Sequence, residues 1–149
     1  MKIHWRFLHF RQLTTDQLYD LAVLRERVFV VEQNCPYAEL DGLDRRSWHL
    51  LGYNKKGELI AYLRIIEPGA RYPEPSIGRV LTRRDLRNRG LGKALMAEGI
   101  RRSAKLYPGD GIRISAQLRL EKFYRDLGFT PVSAPYDEDG IQHIEMLRR

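Results

Sequence analysis

Two stretches of the sequence combine residue types and spacings that can do chemistry. The first is Arg87-Asn88-Arg89-Gly90-Leu91-Gly92-Lys93, which follows one apolar run and opens another. Its glycines therefore fall at a strand-to-helix turn. Glycine lets the backbone turn tightly and approach a ligand closely, leaving amide groups pointing outward. A helix N-terminus adds unsatisfied N–H groups and a partial positive charge, an arrangement that holds a pyrophosphate. Arg87 and Arg89, with Arg83, Arg84 and Lys93 nearby, add Coulomb attraction for phosphate. The spacing is neither the Gly-Lys-Ser/Thr ending of the triphosphatase loop nor the G-x-G-x-x-G dinucleotide fingerprint. The second stretch is Phe123-Tyr124-Arg125-Asp126-Leu127-Gly128-Phe129, a helix with Phe123 and Leu127 inward that glycine stops.

Both stretches need elements to hold them, and hydrophobic periodicity supplies these. Ile3, Trp5 and Phe7 alternate with polar residues as a first strand. Thr14 and Gln17 form a capping box for a helix with apolar positions Leu18, Leu21, Ala22, Val28 and Phe29. Gln33–Arg46, with Pro36 and Gly42, reads as an irregular loop. Strands near Ser47–Asn54 and Glu58–Glu67 meet at a hairpin turn, Lys55-Lys56-Gly57. After the turn-rich Pro68–Pro75 come a strand at Ile77–Thr82 and a helix at Gly90–Tyr107 with Leu91, Leu95 and Ile100 inward. A strand at Ile112–Ala116 and a helix at Leu118–Leu127 follow. Phe129–Tyr136 and Ile141–Leu147 read as two strands around the Asp137–Gly140 turn. Antiparallel strands early and strand–helix–strand units late predict an α/β fold, a mixed and mostly antiparallel twisted sheet with helices on its faces. No repeat or linker divides the chain, so one domain over residues 1–149 is expected.

Composition narrows the function classes. Hydrophobic residues at 43% and charged residues at 30% are ordinary for a globular protein. Apolar runs such as Val28-Phe29-Val30-Val31 fall far short of the ~18 residues a membrane span needs. The N-terminus has no signal-peptide core, and the single Cys35 excludes an intrachain disulfide. A cytoplasmic protein without a membrane partner is expected. Net charge is +7, and the window 79–105 alone holds nine basic residues against two acids, also +7. Glu26–Asp44 carries the opposite bias, five acids against Arg27. Nucleic-acid binding calls for a spread basic face with interleaved aromatics. A cluster confined to one glycine turn calls instead for a polyanion held at one place, so a phosphate site is expected and no nucleic acid.

Together, the RNRGLG turn, its helix, the next strand and FYRDLGF resemble the GNAT superfamily of acetyl-coenzyme A-dependent N-acetyltransferases, over nearly the whole chain. VFVVEQNCPYAELDGLD and YDEDGIQHIEM are further similar to the ElaA-like branch of that superfamily. The resemblance implies a sheet of about six to seven strands flanked by about four helices. It implies that Arg87, Asn88, Arg89, Gly90, Leu91, Gly92 and Lys93 hold the coenzyme pyrophosphate, and that Val80, Leu81 and Thr82 pair with the pantetheine arm. Gln117 stands where many members carry a coenzyme-contacting Asn. Tyr124 corresponds to a tyrosine that donates a proton or hydrogen bond to the leaving sulfur. The implied cosubstrate is acetyl-coenzyme A, with no metal, and the implied acceptor is a small-molecule or peptide amine. A homodimer is compatible with the fold.

A protonated amine must lose a proton before it attacks a thioester, and the oxyanion needs donors, for which a strand amide near Val80–Thr82 is the source expected. Tyrosine near pKa 10 protonating a thiolate near 8.5 is uphill by about 1.5 units, roughly 2 kcal/mol. Tyr124 therefore helps most if basic neighbours lower its pKa, or if it acts mainly as a hydrogen-bond donor, and partial proton transfer is expected. For the general base, spacing does not choose among Glu32, Asp41, Asp44, His49, His143 and a water relay. In a GNAT context the acids Glu32, Glu39, Asp41 and Asp44 would wall the acceptor site and favour a cationic amine. Cys35, before proline and without a base, reads as inert. No Cys/His pair has metal-ligand spacing. A second enzymatic reading comes from Arg25-x-x-x-Phe29 and Glu39-x-Asp41-x-x-Asp44, which are similar to acyl-homoserine-lactone synthases, although those are longer.

Overall fold

The computed structural model describes residues 2–149. The alternating N-terminus forms β1 (His4–His9), and Thr14 caps α1 (Thr15–Arg25) by accepting from the Gln17 amide at 3.0 Å. The helix then widens to π geometry over Glu26–Glu32, where the Gln33 and Cys35 amides bond five residues back, to Val28 and Val30. An irregular loop leads to β2 (Ser47–Tyr53) and, through the Asn54–Glu58 turn, β3 (Leu59–Ile66). β4 (Ser76–Thr82), α2 (Leu91–Leu106), β5 (Ile112–Gln117) and α3 (Glu121–Asp126) follow. β6 (Thr130–Pro131), β7 (Tyr136–Glu138) and β8 (Ile141–Arg148) complete the chain.

The eight strands of the described residues join one sheet in the order β1-β2-β3-β4-β5-β8-β6, with β7 also on β8. Every pairing is antiparallel except that of β4 with β5. The α/β class and mixed sheet agree with expectation, while the element count differs. The strand expected over Phe129–Tyr136 is two short strands, because Pro131 and Pro135 cannot donate to the β8 ladder. The helix expected from Leu118 begins as a 3₁₀ turn, Leu118–Leu120, and the described residues form three α-helices where about four are expected.

Successive residues of β2 and β3 point to opposite faces, and each face has its own cover. Leu50, Leu63 and Ile65 pack with Leu95 and Met96 of α2 and Tyr124 of α3, whereas Leu51 and Tyr62 pack with Leu21, Leu24 and Val28 of the first helix. Such two-sided cover explains why β3 is a near-continuous hydrophobic run. Gly99 lets α2 sit close on β3, since a Cβ there would lie 2.7 Å from Leu63 Cδ2. No helix among the described residues is long and apolar enough to cross a membrane.

Candidate active site

The sheet opens where its parallel pair begins. β4 and β5 pair only at Ser76 with Arg113, and beyond that point they part. The gap is a cleft of about 540 Å³ walled by Val80, Leu81 and Thr82 on one side and Ile114, Ser115 and Gln117 on the other. Within β4 the register against β3 slips between Tyr62 and Arg64, and Arg79 there takes a φ of +51°. This bulge turns the β4 backbone at the cleft wall.

The cleft runs to the start of α2. Gly90 is the N-cap with φ +77° and no atom within 4 Å of a hypothetical Cβ, so the helix begins in open space with its first amides uncapped by any side chain. Arg87, Asn88, Gly90, Gly92 and Lys93 all line the cleft. Leu91 does not: its side chain is buried in the core, leaving only its backbone for a ligand. Arg89 is exposed in the turn but outside the lining.

The basic window is less free than its sum of charges. Arg79 pairs with Glu39, Arg83 with Asp85, and Arg101 and Arg102 with Glu98. Arg87 forms a two-pronged pair with Glu32 and donates to the Thr82 carbonyl at 3.2 Å. Arg84, Arg89 and Lys93 make no ion pair among the described residues, which leaves three cations at the turn for a polyanion.

The acidic run meets a different fate from the one expected. Arg25 donates to Glu39 at 2.8 Å and to Asp44 at 2.7 Å, while Arg64 reaches Asp44 at 3.1 Å and forks onto Asp41. Glu32, Glu39, Asp41 and Asp44 are therefore each neutralised by a guanidinium, and the loop presents no unbalanced negative field to a cationic acceptor. Despite desolvation, arginine pairing holds Asp41 and Asp44 well below the usual carboxylate range, and the Arg87 hydrogen bond lowers Glu32. Carboxylates so stabilised are poor bases.

His49 is also removed as a base. It is fully buried, its Nε2 lies 3.0 Å from the Asp44 carbonyl, and its Nδ1 lies 2.6 Å from the Tyr62 hydroxyl. A carbonyl only accepts, so Nε2 carries the hydrogen and Nδ1 accepts from Tyr62. Burial holds the imidazole down to about 4. His143, by contrast, lines the cleft from β8.

Tyr124 projects from α3 into the cleft wall, ringed edge-on by Phe123 and Phe129. Burial pushes its phenol up to about 12, with Arg119 opposing weakly. That direction is opposite to the one an efficient proton donor needs. Gln117 also lines the cleft, donating to Gln33 at 3.4 Å. Cys35 lines it too, its thiol donating to the Asp139 carbonyl at 3.3 Å. Among the described residues no group of three or more His, Cys, Asp and Glu is placed to hold a metal ion.

Residues 15–149 match the acetyltransferase (GNAT) domain family. The chain belongs to the GNAT family. A UPF0039 protein of Synechocystis is 45% identical over 149 residues, covering 100% of this chain and 97% of that one. The protein ElaA of Escherichia coli K12 is 42% identical over 98% of this chain and 96% of its own. A crystal structure of an acyl-CoA N-acyltransferase from Pseudomonas aeruginosa superposes with a TM-score of 0.95 at 39% identity, covering 99% of this chain and 100% of that one. The chain is thus an acyltransferase of this family, and the parted β4–β5 pair and the glycine turn form its candidate cleft. An acyl-homoserine lactone synthase, BjaI, shares the fold at a TM-score of 0.75 and 20% identity, over 97% of this chain and 81% of its own.

Four residues that line the candidate cleft are not singled out by local spacing in the sequence: Arg64, Arg71, Ser115 and Glu138. Their partners lie far along the chain, so no local spacing points to them.

Proposed function

We propose that this single-domain enzyme transfers an acetyl group from acetyl-coenzyme A directly to an amine, with a small cationic amine as the preferred acceptor. The observation that carries the reading is the parting of β4 from β5 toward the uncapped start of α2. In this reading the amides of residues 88–93, with Arg89 and Lys93, hold the pyrophosphate. Val80, Leu81 and Thr82 offer unpaired strand groups to the pantetheine arm, and an amide beside the Arg79 bulge stabilises the oxyanion. Gln117 supports the coenzyme from β5. Tyr124 holds a hydrogen bond to the departing sulfur.

Calorimetric titration with coenzyme A tests the coenzyme site. Affinity falls with added salt, because phosphate pairing is screened. Gly90→Ala carries the left-handed backbone cost of about 1–2 kcal/mol in stability but adds no charge. Gly90→Glu adds a carboxylate where phosphate sits, so it loses binding that Gly90→Ala retains. Parental affinity in Gly90→Glu refutes the assignment.

A further inference from the structure

The cleft ends among side chains that the coenzyme reading does not use. His143 on β8 is only 8% exposed, and its Nδ1 lies 2.7 Å from the Ile141 carbonyl. That oxygen only accepts, so Nδ1 holds the ring hydrogen and Nε2 of the neutral ring is a bare lone pair. Nε2 faces Glu138 Oε2 at 3.3 Å, a second acceptor. With the ring protonated, Nε2 donates to Glu138 directly; with the ring neutral, the two acceptors face each other and offer a place that a ligand's N–H groups fill. Glu138 Oε1 is already served, by Arg71 at 3.1 Å and Ser115 at 3.2 Å. Tyr136 stacks on the His143 ring and fixes its plane.

We propose that His143 Nε2 and Glu138 Oε2 form the seat for the acceptor's ammonium group, with His143 as its general base. The proposal rests on the acyl-transfer reading above and names its acceptor class, a primary alkylamine. Such an ammonium carries three N–H donors, two of which satisfy the facing acceptors. One proton moves to Nε2, and the electron pair of that N–H bond stays on the amine nitrogen. The imidazolium then donates to both the Ile141 carbonyl and Glu138, which holds its charge. The amine nitrogen bonds to the thioester carbonyl carbon as the C–S bond breaks. Of the two hydrogens left on nitrogen, one is lost as a proton. The thiolate gains a proton, and His143 returns its own to solvent. One ammonium and one thioester give one amide, one thiol and one proton. Glu138 already shares its charge with Arg71, so the net negative charge that favours a cation here is that of cleft-lining Asp139, which makes no ion pair among the described residues.

The other charges near His143 are few. Glu145, two residues along β8, is paired with Arg113 of β5, and Arg71 and Asp139 flank Glu138. Gln117, opposite His143 in the β5 register, is neutral.

The test reads the imidazole and the chemistry separately. His143→Asn keeps a donor near the Nδ1 position and removes Nε2, while Glu138→Gln keeps shape and removes charge. Nitrogen NMR of His143 in the full chain, titrated with 1,4-diaminobutane at neutral pH, shows the Nε2 resonance move. Butyltrimethylammonium, which has no N–H, leaves it in place, and Glu138→Gln weakens the diamine at least about tenfold. Turnover with acetyl-coenzyme A is followed as kcat/KM against pH for parent and variant. His143→Asn loses about 10²–10⁴-fold and keeps rising toward the pKa of the amine, since only free amine then reacts. A lysine peptide with a blocked α-amine runs beside the diamine, and the faster of the two identifies a protein or a free amine as the source. A stationary His143 resonance, or parental rate and pH profile in His143→Asn, overturns the proposal. A resonance that moves without any acetyl transfer overturns the acyl-transfer reading and leaves the ammonium seat standing.

Discussion

Replacing Tyr124 by Phe separates hydrogen bonding from proton transfer at the leaving sulfur. The phenol is pushed up to about 12 by burial, and a thiol of ordinary pKa near 8.5 leaves as its conjugate base. Handing over the phenolic proton is then uphill by about 3.5 units, or about 5 kcal/mol, against roughly 2 kcal/mol for an unperturbed tyrosine. Burial therefore keeps the hydroxyl protonated as a donor and makes it a weak acid. A hydrogen bond to a charged acceptor contributes about 1.5–3 kcal/mol, so Tyr124→Phe lowers kcat by about 10–150-fold. Full general-acid catalysis would cost up to about 10⁴-fold. The assay is thiol release at saturating acetyl-coenzyme A and amine, from about pH 6 to about pH 10, with coenzyme affinity and Tm measured alongside. Phe fills nearly the same volume, so both of those stay near parental values. The fold-loss is the same at every pH, because the parental tyrosine does not titrate in that range. A parental alkaline limb below about pH 10 that vanishes in Tyr124→Phe, with a loss above about 10³-fold, refutes the reasoning.

The buried ion network and the second histidine give two further expectations. Asp44→Asn takes the carboxylate from Arg25 and Arg64, both buried, and costs about 3–5 kcal/mol, a Tm loss of roughly 6–20 °C by calorimetry. An unchanged Tm contradicts a structural role for the network. His49 stays neutral down to about 4 in the fold but titrates near 6.5 when unfolded, so the unfolded chain binds the extra proton between those values. Stability accordingly falls by up to about 3 kcal/mol as pH drops from about 6.5 to about 4. Denaturant midpoints across that range fall less steeply in His49→Gln, and identical slopes contradict the assignment. Loss of the Asp41 and Asp44 contributions begins lower, as pH falls through and below the ordinary carboxylate range.

What the sequence makes legible is what is local. Gly90, the strand before it and the helix after it lie within a few residues, so the glycine turn between strand and helix can be read directly. The Thr14–Gln17 capping box is local too, and forms as spelled. The acidic run misleads because charges in a sequence come without partners: Glu32 meets Arg87 55 residues on, Glu39 meets Arg79 40 on, and Asp41 meets Arg64 23 on. His49 and His143 look alike on their strands, yet burial against Tyr62 silences one while the other reaches the cleft. Glu138 reads as part of a turn because Arg71, its ion-pair partner, is 67 residues away. The fate of Tyr124 depends on Phe123 and Phe129 closing around it, a tertiary effect that raises its pKa and favours the hydrogen-bond-donor alternative over proton transfer.

A crystal structure with coenzyme A bound tests the cleft assignment most directly. The pyrophosphate is predicted on the amides of residues 88–93, the pantetheine arm between β4 and β5 along Val80–Thr82, and the sulfur within hydrogen-bond reach of the Tyr124 hydroxyl. Coenzyme bound outside the β4–β5 gap, or a sulfur that the Tyr124 hydroxyl cannot reach, contradicts it.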